Sequence, residues 1–90
     1  MKKVLKFCLE TTFGPQAIKM PLGAVVISVG KQAEQLRVWV EVDEDVKEEF
    51  EYTFYVVGTG HPVPEQSKHV GTVPIDPYIW HIYIKWIYEQ

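Results

Sequence analysis

At 90 residues the chain makes one domain, residues 1–90, and a fold of this size buries only roughly 60–65% of the surface its unfolded form exposes. Its formal charge is −3, with acids gathered at Glu41, Asp43, Glu44, Asp45, Glu48, Glu49 and Glu51, which excludes the basic face needed to track duplex nucleic acid. A hydrophobic content of 47%, with three Trp, five Tyr and four Phe, exceeds what so short a chain can enclose and predicts a homo-oligomer.

Period-two alternation dominates and helical periodicity is nearly absent. This predicts an all-β domain, a small antiparallel sandwich or barrel of about six or seven short strands. Residues 3–10 put Leu5, Phe7 and Leu9 on one side and Lys6 and Glu10 on the other. Cys8, the one cysteine, excludes an intramolecular disulfide and any multi-cysteine zinc site, and is expected as a small buried side chain of this first strand. Phe13-Gly14-Pro15 turns the chain into a strand over 16–20. Pro21-Leu22-Gly23 turns it again, since Pro fixes φ and Gly supplies the positive φ of a type II-like turn.

Residues 24–29 read as a more fully buried strand, and 30–35 as a hairpin connection. The next strand, 36–42, has Leu36, Val38, Val40 and Val42 as its core face, so Arg37, Trp39 and Glu41 point the opposite way. Residues 43–49 read as a solvated acidic loop or one helical turn. Residues 50–57 alternate with aromatic side chains on both faces. After a loop over 58–64, residues 69–73 form a short strand, and Pro74 and Pro77 frame a turn. The last strand, 78–88, is apolar on both faces, with Trp80, Ile82, Ile84, Trp86 and Tyr88 on one of them, and one face is expected to meet another subunit. Neither a signal peptide nor an apolar run near the roughly 20 residues of a membrane span is present, so the protein is expected in the cytoplasm with no membrane partner.

The candidate chemistry centres on Gly58-Thr59-Gly60-His61-Pro62. The two glycines permit unusual backbone angles and leave amide groups uncovered, so the loop reads either as a tight turn or as a cradle for a phosphate or base edge. Arg37 or Lys68 would assist with charge, and Trp39 would stack on a base or lie in a subunit interface. His61, His69 and His81 are spaced by eight and twelve residues, which fits no metal-ligand pattern, so no metal or cofactor is expected. Thr59 and His61 are the only adjacent hydroxyl and imidazole, and next-nearest neighbours in a loop seldom reach nucleophile-to-base geometry, so no enzyme is expected.

The pieces Lys6-Phe7, Met20-Pro21, Gly23-Ala24, Val38-Trp39, Val56-Val57-Gly58-Thr59-Gly60-His61-Pro62, Gly71-Thr72 and Trp80-His81-Ile82 resemble a family of short phage proteins of unknown function that carry a Val-Gly-Thr-Gly-His-Pro signature. The chain departs from that pattern at His69-Val70 and in its extension over 84–90. The resemblance implies a viral origin and the host cytoplasm. By analogy with small β-rich phage sponges of the anti-CBASS type, it implies an anti-defence protein that sequesters a cyclic dinucleotide immune signal without hydrolysing it.

On that reading the ligand-binding residues are Arg37, Trp39, Gly58, Thr59, Gly60, His61, Lys68, His69 and Tyr83. Interface pockets would suit a symmetric ligand, because a two-fold assembly repeats each contact. The alternative is a protein–protein module that inhibits a host factor or assists virion assembly, through the acidic loop and exposed aromatics.

Overall fold

The alternation becomes seven strands in the computed structural model, which describes residues 1–85: β1 (Lys2–Leu9), β2 (Gln16–Pro21), β3 (Val25–Gln32), β4 (Gln35–Asp43), β5 (Glu49–Gly58), β6 (Lys68–Ile75) and β7 (Tyr78–Lys85). The fold is all-β, with two antiparallel sheets ordered β1-β4-β3 and β2-β5-β7-β6. The Cα extents of 41 × 32 × 15 Å fit two layers about 10 Å apart. Trp86 and Tyr88, expected on the last strand, lie outside the described residues.

The pleat decides what faces the core. In the three-stranded sheet Leu5, Phe7 and Leu9 of β1 lie opposite Val40, Val38 and Leu36 of β4, all inward. In the four-stranded sheet Phe54 and Val56 of β5 oppose Ile84 and Ile82 of β7, and these side chains meet β4 across the layer. Val38, Val40, Phe54 and Ile82 are fully buried, so the inner strands β4, β5 and β7 hold the core. Burying each such side chain contributes about 1.5–3 kcal/mol.

Turn chemistry sets the connections. Ala24 N–H donates to Pro21 C=O at 3.2 Å with Gly23 at φ +89°, the expected type II-like turn. The buried Tyr52 hydroxyl ties this turn to β5, accepting from Gly23 N–H at 3.2 Å and donating to Pro21 C=O at 3.4 Å. The β3–β4 hairpin is tighter than 30–35: Gln32 pairs with Gln35, and Ala33 and Glu34 form the two-residue turn at φ +53° and +60°. Residues 43–49 contain a turn and no helix, because the strands on either side extend to Asp43 and from Glu49.

Two expectations are corrected. Cys8 is exposed, since it shares the outward parity of Lys6 and sits opposite Arg37. β3 is not a buried strand: it is a sheet edge, and Val25 and Ile27 remain about half exposed. Its register shifts between Val26 and Ser28, so the extra residue Ile27 is absorbed while Val26 and Val29 both stay on the core side. β6 carries a matching bulge between His69 and Gly71.

Candidate functional site

The loop after β5 begins with a β-turn in which His61 N–H donates to Gly58 C=O at 3.1 Å, with Gly60 at φ +93° as its positive-φ corner. The turn consumes the His61 amide and folds the imidazole back onto the sandwich. A Cβ on Gly58 would lie 3.1 Å from His61 Cδ2 and 3.5 Å from Trp80 Cζ3, so the missing side chain is what lets these two rings close on the strand end. Phe13 stacks obliquely on His61 at 4.8 Å between centroids, and Tyr78 leans on Trp80 at 5.6 Å. Pro77, Ile79 and Thr59 complete an aromatic cleft of about 580 Å³ at this end of the sandwich. Phe13 and Tyr78 are more than 60% exposed, so their ring surfaces are available.

Next to the cleft, the outer face of the four-stranded sheet carries a chain of hydrogen bonds. Thr59 Oγ1 lies 2.9 Å from His81 Nε2, His81 Nδ1 lies 3.1 Å from Thr72 Oγ1, and Thr72 Oγ1 lies 2.9 Å from His69 Nε2. Strand register builds it, because Thr72 sits opposite His81 and His69 opposite Tyr83 on adjacent strands. The His69 ring meets Tyr83 edge-on at 5.2 Å. Thr59 therefore pairs with His81 rather than with His61, and it joins the ladder to the cleft. His81 and Thr72 are members that sequence reasoning left out. Among the described residues no carboxylate hydrogen-bonds to either imidazole, and no cluster of three metal-ligating side chains is found.

The remaining expected residues lie elsewhere. Arg37 and Trp39 are on the outer face of the three-stranded sheet, on the far side of the core from His69 and Tyr83. Trp39 lies across Gly30, whose hypothetical Cβ would be 3.5 Å from Cζ3, so the indole covers the bare backbone of the neighbouring strand. Arg37 donates from Nη2 to Gln35 Oε1 at 2.9 Å, while its covered Nε has no partner among the described residues. Lys68 shares the parity of Gly71 and Ile84 and points to the gap between the sheets. One subunit thus brings together Gly58, Thr59, Gly60, His61, His69 and Tyr83, but not Arg37, Trp39 or Lys68.

The acidic segment is held against β1. The Met1 ammonium bonds to Asp43 at 3.2 Å and to Asp45, Lys2 pairs with Glu41 at 3.8 Å, and Lys3 with Glu44 at 3.7 Å. The Asp45 amide and then the ammonium hold the Asp43 carboxyl below the usual aspartate range.

These features define a small two-sheet β protein with an aromatic cleft at one end and a histidine–threonine ladder beside it. The chain belongs to the family described as a domain of unknown function (DUF7352), whose model matches residues 1–89. No curated protein and no solved structure matches it.

Proposed function

We propose that this protein binds a small nucleotide by its base in the aromatic cleft and sequesters it without converting it, as a phage anti-defence protein would sequester a cyclic dinucleotide signal. The observation that carries this reading is the convergence of Phe13, His61, Tyr78 and Trp80 with the Thr59 hydroxyl around one opening of ligand size. Every base has a π-face, and stacking on an aromatic side chain is worth about 1–3 kcal/mol per base. Among the described residues neither Arg nor Lys lines the cleft. Within one subunit, therefore, the base rather than the phosphate supplies the affinity, and phosphate contacts come from a second copy in a homo-oligomer.

The test is a thermal-shift screen against cyclic di- and trinucleotides with linear nucleotides as controls, beside light scattering for the assembly. A ligand at a hundred times its dissociation constant stabilises the fold by about 2.7 kcal/mol. His61→Ala and Tyr78→Ala are expected to abolish the shift, and Trp39→Ala, on the other outer face, to retain it. A panel without any shift would refute the reading. It would favour a protein partner, to which the exposed Phe13, Tyr78, Ile79 and Val63 around this end of the sandwich are suited.

A further inference from the structure

A second cavity lies between the sheets, away from the aromatic cleft. It has a volume of about 290 Å³ and is lined by Ala24, Val26, Tyr52, Lys68, Val70 and Ile84, together with Gly23 and Val25. Its origin is geometric. β3 and β6 are the edges of different sheets that face one another, and both carry a bulge at this point, between Val26 and Ser28 and between His69 and Gly71. Bulges bend and twist a strand, so two facing bulges part the edges locally.

Further along, the gap is pinched shut. A Cβ on Gly71 would lie 1.9 Å from Val29 Cγ2, so the valine fills the space above the glycine. Tyr52, whose hydroxyl is engaged by the Pro21–Gly23 turn, contributes to the lining. What remains is a slot whose lining side chains are mostly apolar, with polar backbone and Lys68 contributing the rest. Ile84 and Tyr52 are buried, Val26 and Val70 half-buried, and the exposed Lys68 supplies the one cationic group. Lys68 makes no ion pair with any other described residue.

We infer that this slot binds a small aliphatic carboxylate, with its hydrocarbon chain between Val26, Val70 and Ile84 and its carboxylate at the Lys68 ammonium. An apolar chain is favoured because, Lys68 apart, the only polar side-chain group in the described lining is the Tyr52 hydroxyl, which already has both its partners. An anionic head is favoured because, among the described residues lining the slot, the only charged side chain is that of Lys68, and a charge-assisted contact there fixes the ligand's direction. The volume of about 290 Å³ falls just below the roughly 300–1,000 Å³ of small-molecule sites, which restricts the ligand to short chains.

The experiment is a methyl-detected NMR titration of the full chain with octanoate, octanol and octylammonium. Saturable shifts are expected at Val26, Val70 and Ile84, with octanoate tightest and octylammonium weakest. Lys68→Gln, at an exposed position, is expected to weaken octanoate by at least about threefold and to leave octanol unchanged, the size of a partly screened charge contact. Ala24→Leu, which adds bulk to the lining, should weaken both octanoate and octanol. The inference is overturned if octanoate gives no saturable shifts at these methyl groups, if octanol binds as tightly as octanoate, or if Lys68→Gln leaves octanoate affinity intact. Shifts confined to the methyl groups of Thr59 and Ile79 would place the ligand in the other cleft and equally overturn it.

Discussion

The Thr59 hydroxyl lies 2.9 Å from Nε2 of His81, 22 residues further along the chain. That contact closes one end of a four-membered ladder in which Thr72, between His81 and His69, has a single proton to share between two imidazoles. If Thr72 donates to His69 Nε2, it must accept from His81 Nδ1; if it donates to His81 Nδ1, it must accept from His69 Nε2. In either arrangement two neutral rings adopt the same tautomer.

Long-range nitrogen–proton NMR at neutral pH is expected to show His69 and His81 both as Nδ1–H or both as Nε2–H. Thr72→Val should uncouple them and perturb both rings, while Thr59→Val should shift only His81. Opposite tautomers in the unsubstituted protein would mean that Thr72 does not relay the bond. The stability change on Thr72→Val should stay below about 1 kcal/mol, because the ladder is exposed to water.

Gly71→Ala is expected to destabilise the protein by about 1–3 kcal/mol, the cost of overpacking, because the new methyl would overlap the Val29 side chain across the two sheet edges. Adding Val29→Ala should recover part of the loss. Chemical denaturation of both single variants and the double variant completes the cycle. Additive effects would show that the two edges are not in contact there.

The core was legible in the sequence where one strand face is buried and the other is not. Leu36, Val38, Val40 and Val42 alternate with polar or amphipathic neighbours, and all four are buried. The run from Val25 to Val29 misled because an edge strand with a bulge looks, residue by residue, like a buried one. Cys8 could have been placed correctly from its parity with Lys6. For the site, the turn at Gly58–His61 was readable from its glycines. The partnership of Thr59, Thr72 and His69 with His81 was not, because it depends on how β6 and β7 pair and on the bulge at Val70. The alternation of β4 indicated that Trp39 and Arg37 face away from the core, but not that the loop lies beyond the opposite sheet.

The β3–β4 hairpin offers a gain in stability. Its two-residue turn places Ala33 and Glu34 at positive φ, a region that favours Asn and Gly and costs other residues about 1–2 kcal/mol each. Ala33→Asn combined with Glu34→Gly should raise the unfolding free energy by about 1 kcal/mol, measured by urea denaturation, even though it removes the exposed 3.6 Å ion pair of Lys31 with Glu34. A loss of stability would show that the turn does not hold these backbone angles in solution.

The acid side of the stability curve should report on Asp43. Its carboxyl is held below the ordinary aspartate value by the Asp45 amide first and by the Met1 ammonium second, while the ammonium is itself raised, chiefly by Asp45 and then by Asp43. A depressed carboxyl contributes stability that is fully present above its unfolded pKa and is lost as pH falls through its lower folded value. The raised ammonium contributes stability that is present below its unfolded pKa and is lost as pH climbs through its higher folded one. Melting temperature measured from pH 7 down to about pH 2.5, across the usual aspartate range near 3.9, should therefore fall more steeply for the unsubstituted protein than for Asp43→Asn. Because the Asp43 carboxylate is partly exposed to solvent, the difference should shrink at high salt, where the ammonium–carboxylate attraction is screened while the Asp45 amide bond persists. Parallel acid limbs for the two proteins would show that the link between the first strand and the acidic turn does not form in solution.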